Sequence, residues 1–298
     1  MERKAAMTKQ RPLRLAERFT WGRQTYVMGV VNVTPDSFSR DGVLGVPDFV
    51  EAAVAKAIAF VADGAHILDI GGQSTRPGSE PVSAAEELRR VVPVIAALAA
   101  RTEAPISVDT SRAEVAAAAL DAGAAMVNDV WGLGSDPALA PLLARRGVPV
   151  VLVHNRGRRR QAKVDARLGG RYLGSAYDDL LEDVVRELAA LASAAQAAGI
   201  AADQIILDPG IGFGKTVAQS LELVDRLDRF RALGHPILIG PSRKSFIGYT
   251  LDLPADERLE GTAAAVAIGI ARGADMVRVH DVRAMARVAR MADAILRR

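Results

Sequence analysis

The chain has 298 residues with a formal net charge of +3, is half apolar and contains no cysteine. That balance belongs to a globular protein with a sizeable core, and the missing thiols exclude disulfide scaffolds, thiolate metal sites and cysteine nucleophiles. Basic residues are spread along the chain rather than gathered into an arm, so nucleic acid is not an expected partner. No run approaches the roughly 20 apolar residues of a membrane span. The opening MERKAAMTKQRPLR also lacks the apolar centre of a signal peptide, so the expected location is cytoplasmic, with no membrane contact.

In chain order, the first β-rich run is VMGVVNV (27–33). A helical stripe of Val50, Val54, Ile58 and Val61 follows it, and then the run HILDIGG (66–72). Residues 84–100 carry a second stripe of Leu88, Val91, Val92, Ile95 and Leu98, opened by the capping-box spacing of Ser83 and Glu86. PISVDT (105–110) precedes another such pair, Ser111 and Glu114, and MVNDVWG (126–132) and PVVLVHN (149–155) come next. The spacing then predicts the longest helix over 175–198, ending before Gly199. IILDPG (205–210), PILIGPS (236–242), a helix over 261–271 and MVRVHD (276–281) complete the series.

Eight apolar runs alternating with helices imply a parallel sheet covered on its outer side, in α/β fashion. At this length a single (β/α)8 TIM barrel over 25–298 is expected, with 1–24 as an N-terminal extension and lead-in. A doubly wound open sheet is the runner-up. It would concentrate its polar groups at one switch point, whereas here polar residues follow every run. In a barrel those residues line the mouth at the C-terminal strand ends, which is where the chemistry of this fold sits. They are Asn32, Asp69 with Thr75 and Arg76, Asp109, Asn128 with Asp129, His154 with Asn155, Asp208, Ser242 with Arg243 and Lys244, and Arg278 with His280. The chain has three asparagines, Asn32, Asn128 and Asn155, and all fall there.

NVTPDSFS, DIGGQSTRPG, SVDTSR, VNDV, DPGIGFGK, GPSRKSFIG and RVHDV stand in that order from about residue 25 to 296. Together these seven motifs resemble those of the dihydropteroate synthase family of the folate pathway. The resemblance implies condensation of 6-hydroxymethyl-7,8-dihydropterin pyrophosphate with 4-aminobenzoate, with Mg²⁺ as cofactor and a homodimer formed through the last helices, where residues 263–270 are apolar on more than one face. It assigns Asn32, Arg278 and His280 to the pyrophosphate, with Asn32 also on the metal. Asp109, Asn128, Asp208 and Lys244 go to the pterin. Similarity assigns Thr75, Arg76, Pro77, Phe213 and Ser245 to 4-aminobenzoate, with Phe38 in the first loop placed to cover its ring. Asp109, Lys244, Asn32, Arg278 and His280 are the expected catalytic set.

These residue types suit those tasks. A guanidinium fork matches phosphate oxygens, a neutral amide oxygen suits a hard cation, and a carboxylate after the apolar run 205–207 is costly to bury without a partner. An aromatic amine is a poor nucleophile, so pyrophosphate leaving first, with Asp109 as a fixed negative charge beside the resulting cation, is a reasonable course. Ser245, opening a helix, is placed for the ligand's acid group.

Gln73 stands where that family commonly has Glu, Arg40 is inserted in SFSRDG, and VHN (Val153–Asn155) replaces the frequent Met-His-Met. A pterin-dependent methyl-transfer module or a non-catalytic pterin-binding paralogue are the alternatives. SRK and RVH, cationic groups suited to pyrophosphate, weigh against the first, and the altered fifth loop is the support for the second. The cluster RGRRR (156–160) reads as a solvated loop, without the aromatic interleaving of a nucleic-acid surface. His66 and His235 fall at strand starts and take no role.

Overall fold

The computed structural model describes residues 13–35, 42–45, 48–74, 79–157, 162–165 and 167–297. Eight parallel strands form the sheet: β1 (Tyr26–Asn32), β2 (Ile67–Gly71), β3 (Ile106–Asp109), β4 (Met126–Asp129), β5 (Val150–Val153), β8 (Ile205–Asp208), β9 (Leu238–Ile239) and β10 (Met276–Val279). Their order is β8-β5-β4-β3-β2-β1-β10-β9. A parallel bridge from Leu207 to Ile237 joins the two ends of that sheet, giving the (β/α)8 barrel that the alternating runs imply.

The apolar runs look unpatterned because both faces are buried, yet the core divides into two layers with a period of two. Val27, Val31, Leu68, Ile70, Val108, Val127, Leu152, Leu207 and Val277 pack outward under the helices. Met28, Ile67, Met126, Val151, Ile206, Leu238 and Met276 fill the interior. Continuing the inward phase toward the C-terminal strand ends brings in Asn32, Asp69, Asp109, Asn128, Asp208 and Arg278. The lower end is closed by α1 (Leu15–Arg18) and the residues after it: Leu15, Phe19 and Tyr26 join the interior cluster, and Gln204 accepts from the Leu15 amide and donates to the Leu13 carbonyl.

The covering helices are α2 (Phe49–Ala62), α3 (Ala84–Ala99), α4 (Ala113–Asp121), α5 (Leu139–Arg146), α6 (Leu180–Ala197), α7 (Val217–Asp225), α8 (Ser245–Leu251), α9 (Leu259–Ala271) and α10 (Val282–Leu296). None is long and apolar enough to cross a membrane. On α2 the buried face is Ala53, Val54 and Ala57 while Ile58 is 37% exposed, so the expected stripe is rotated toward small residues that let the helix approach the sheet. Ser83 caps α3 as its spacing implies, although Glu86 pairs with Arg89 and Arg90 instead of closing the box. Ser111 does not cap α4. Its hydroxyl donates to Asp129 Oδ1, and Asp136 reaches back to accept from the Ala113 amide.

The predicted helix over 175–198 begins at Leu180, capped by Asp179. Before it lies an antiparallel hairpin that the sequence did not suggest, β6 (Ala162–Asp165) and β7 (Gly169–Tyr172). AKVD alternates over only four residues, with Val164 exposed, and GGRY opens on two glycines, so neither reads as a half-buried strand.

Candidate active site

The strand register sets the inward polar residues at two levels. Asn32 pairs with Gly71, Gly71 with Asp109 and Asp109 with Asn128, so one ring of the mouth carries Asn32, Asp109 and Asn128. Two residues lower on β2 and β3, Asp69 pairs with Ser107. Gly71 has a specific use in the upper ring: a Cβ there would lie 3.7 Å from Asp109 Oδ2 and 3.8 Å from Asn32 Oδ1. The missing side chain leaves these two oxygens facing one small space.

Arg278 rises from β10 and binds two carboxylates, donating from Nε to Asp69 Oδ2 at 2.6 Å and from a terminal nitrogen to Asp109 Oδ2 at 2.7 Å. Asp69 also accepts from Asn128 Nδ2 at 3.1 Å. Two oxygens remain: Asp69 Oδ1 and Asn128 Oδ1 are buried with no hydrogen-bond partner among the described groups. Buried polar atoms are nearly always paired, so this pair of orphans marks a place built for a ligand's donors.

The opposite wall comes from β8 and the loop after it. Asp208 is buried and accepts from the Gly210 amide at 2.7 Å. Lys244, the residue before α8, donates to the Ile211 carbonyl and sits 4.1 Å from the centroid of the Phe213 ring, a cation over an aromatic face. Ser245 is the first residue of α8. Gly210 has φ +70°, and a Cβ on it would lie 1.8 Å from the His154 carbonyl, so only glycine lets this loop rest on the end of β5. His280 donates its amide to the Ser242 hydroxyl at 3.1 Å, with Nδ1 at 3.0 Å from the same oxygen. Arg243, in contrast, forks onto Asp281, so the SRK run sends Ser242 to His280 and Lys244 to the Phe213 ring.

Burial sets the proton affinities. It pushes Asp109 up to about 7 against the pull of Arg278, with Asp69 adding to the rise. It also raises Asp208, opposed by Lys244. Burial lowers Lys244 to about 8, partly offset by Asp208. Arg278 is itself raised: burial works against its charge, and the carboxylates of Asp69 and Asp109 prevail. The site thus crowds mutually neutralising charges into little water, where each charge that a ligand brings is felt strongly.

Asn32, Asp109, Asn128, Asp208, Lys244, Phe213, Ser245, Arg278 and His280 therefore stand at strand ends or in the loops immediately after them, at one end of the barrel. Phe38, Thr75, Arg76, Pro77 and the inserted Arg40 lie outside the described residues. Asp69 was legible as a mouth residue but carried no role; its signal was a carboxylate inside the apolar run HILDI. His66 accepts from the Val27 amide at the far end of the barrel. Of the RGRRR cluster, Arg156 is held near the surface, bonded to Glu187, Asp183 and the Ala176 carbonyl, and Arg158 to Arg160 are outside the described residues.

The model of a family described as "Pterin binding enzyme" matches residues 28–280. The dihydropteroate synthase of Bacillus subtilis is 48% identical over 277 residues, covering 93% of this chain and 90% of that one. The synthase of Synechocystis is 47% identical over 282 residues, 94% of this chain and 93% of that one. Among solved structures, a dihydropteroate synthase from Clostridium difficile in the presence of pteroic acid superposes with a TM-score of 0.84 at 43% identity, covering 94% of this chain and 100% of that one. One from Xanthomonas albilineans in complex with 7,8-dihydropteroate has a TM-score of 0.81 at 40% identity, covering 96% and 98%.

Proposed function

The chain belongs to the dihydropteroate synthase family of pterin-binding enzymes, and from that premise we propose which of its residues carry the reaction. The reaction joins 6-hydroxymethyl-7,8-dihydropterin pyrophosphate to 4-aminobenzoate, giving 7,8-dihydropteroate and pyrophosphate. The observation that carries the assignment is the pair of orphaned buried oxygens, on Asp69 and Asn128, beside the carboxylates of Asp109 and Asp208 and the half-buried cations of Lys244 and Arg278.

The pterin's N–H edge is read by Asp208 and Asn128, since an acceptor-only carboxylate and an amide suit an amidine-like pattern of donors. Lys244 serves the pterin's carbonyl and ring nitrogen. Arg278, His280 and Asn32 hold the pyrophosphate. Arg278 is preorganised for this because Asp69 already fixes its Nε, and the hydroxyl of Ser242 steadies the His280 ring. Phe213 and Ser245, with Thr75, Arg76, Pro77 and Phe38, take 4-aminobenzoate.

The C–O bond to pyrophosphate breaks first, the electron pair leaving on the pyrophosphate oxygen and the exocyclic methylene becoming cationic in conjugation with the pterin. The amine nitrogen of 4-aminobenzoate then bonds to that carbon and gives up a proton to solvent. Asp109, ionised, stabilises the cation electrostatically and takes no proton. Its position supports this: it shares the upper ring with Asn128 and is held by Arg278.

The space at Gly71 tests whether Mg²⁺ fits. Asn32 Oδ1 and Asp109 Oδ2 face it, and a neutral amide oxygen with a carboxylate oxygen is a donor set suited to a hard cation that keeps waters and phosphate oxygens as its other ligands. Among the described residues no group of three or more His, Cys, Asp or Glu could hold a metal. Mg²⁺, when bound, supplies charge neutralisation on the leaving oxygens, and Asn32 is the residue proposed to hold it.

A homodimer through the last helices is also proposed, supported by Leu259 and Ile268 of α9, which are exposed although large and apolar; sedimentation at micromolar concentration tests it. The cytoplasm is the proposed location.

The test of the assignment is Asp109→Asn. Turnover is expected to fall at least about 100-fold, as for loss of one preorganised electrostatic contact, with affinity for the dihydropterin pyrophosphate within about threefold of wild type. Equal losses in turnover and affinity would sink the electrostatic role.

A further inference from the structure

Behind the Phe213 and Lys244 wall runs a buried row of charge to which none of the roles above is assigned. Lys215 is 3% exposed. Its Nζ lies 2.9 Å from His154 Nδ1, 3.1 Å from the Phe213 carbonyl and 3.3 Å from the His154 carbonyl. An ammonium has three N–H donors, and here it meets three acceptors. His154, 2% exposed, has its other nitrogen 2.9 Å from Glu187 Oε2. Accepting at Nδ1 requires a neutral imidazole with its proton on Nε2, donated to Glu187. Burial and the Lys215 charge favour that neutral form, holding His154 at about 3. Glu187 is gripped in turn by Arg156, which also reaches Asp183 at 3.1 Å and the Ala176 carbonyl at 2.5 Å and lies over the Tyr177 ring. The row therefore runs from the barrel mouth to the surface of α6.

The segment that this row grips has little stiffness of its own. Gly210, Gly212 and Gly214 all take left-handed φ, at +70°, +81° and +65°, and glycine carries the largest entropy cost of ordering. Phe213 sits between two of them. We propose that Lys215, steadied by His154 and Glu187, is a positioning residue that fixes the Phe213 carbonyl and so holds the Phe213 ring against Lys244, where 4-aminobenzoate is taken. This rests on the assignment of Phe213 to 4-aminobenzoate made above.

A proton lost from Lys215 leaves two donors for three acceptors, so the grip loosens at alkaline pH. Lys215 is lowered to about 7, chiefly by burial, with Lys244 and Arg156 also lowering it and Asp208 and Glu187 opposing the fall. The groups facing it from β8, α6 and the neighbouring loops are thus Asp208, Glu187, Lys244, Arg156 and His154.

The experiment measures KM for each substrate in Lys215→Met, Phe213→Ala and the double variant, together with binding of the dihydropterin pyrophosphate alone. Lys215→Met is expected to raise KM for 4-aminobenzoate about tenfold and to leave pterin binding within about twofold, and to add little in the Phe213→Ala background, since coupled sites are not additive. Equal weakening of both substrates, no change, or full additivity would overturn the proposal. If Phe213→Ala alone leaves the 4-aminobenzoate KM unchanged, the underlying assignment fails instead. Should Lys215→Met not fold, Glu187→Ala at the half-buried end of the row is read: it removes a charge that raises Lys215, so the alkaline limb of kcat/KM for 4-aminobenzoate should move to lower pH, and a limb that stays put overturns the proposal.

Discussion

Replacing Asp208 by Asn is the most informative single change to the pterin wall. The side chain keeps its size, and its amide oxygen can still accept from the Gly210 amide at the 2.7 Å position. What changes is the other side: an acceptor-only carboxylate oxygen becomes an NH₂ donor presented to the ligand's own donors. Losing one charge-assisted hydrogen bond costs about 1.5–3 kcal/mol, and leaving a buried donor unpaired costs about 1–3 kcal/mol more. Taking roughly 3–5 kcal/mol together, affinity for the dihydropterin pyrophosphate should fall by about two to four decades.

The same variant carries its own control. Burial raises the Asp208 acid above its ordinary value, so above the unfolded pKa the free folded protein pays for keeping this group ionised. Asn removes that cost, and the unliganded variant at pH 7.5 should melt at or above the wild-type temperature. Titration calorimetry with Mg²⁺ present and a melting curve without ligand decide the matter. A dissociation constant within threefold of wild type, or a large fall in melting temperature accompanying weaker binding, would refute the reasoning and make Asp208 a structural residue.

Two further changes probe other parts of the account. Asp109 is pushed up to about 7 by burial, opposed by Arg278, with Asp69 adding to the rise. Turnover should therefore climb as pH rises through that value and Asp109 ionises, and Asp69→Asn, which removes a raising charge and leaves Arg278 to Asp109, should move this acid limb to lower pH in a kcat profile from pH 5 to 8. Leu15 is buried in the interior cluster, so Leu15→Ala should cost about 2–5 kcal/mol of stability in urea unfolding while leaving both KM values near wild type; a negligible cost would mean that the segment before β1 does not support the barrel.

The strands were legible because each is a short β-branched run with a polar residue at its end, and the barrel followed from their number and alternation with helices. Even β9, two residues long, was found from PILIGPS because the turn residues after it are distinctive. What the runs concealed was their phase: the carboxylate in HILDI stood out, but what it faces is set by the register, and Asp69 emerged as the anchor of Arg278 only in three dimensions. The hairpin of β6 and β7 escaped because AKVD alternates over only four residues and GGRY, with two glycines, does not alternate at all, and local spacing misled at Ser111, whose hydroxyl is claimed by a carboxylate from the next strand. Lys215 was visible as the last residue of DPGIGFGK, but two of its three acceptors belong to His154, 61 residues earlier, which spacing does not bring near it.

The measurement that tests the account most directly is turnover by the purified protein. Dihydropterin pyrophosphate and Mg²⁺ are supplied with and without 4-aminobenzoate, pyrophosphate is assayed and dihydropteroate is detected by mass. Dihydropteroate is expected in amounts matching the pyrophosphate released, with product requiring both substrates. Retained pterin binding with no dihydropteroate would contradict it and leave the site as a binding module.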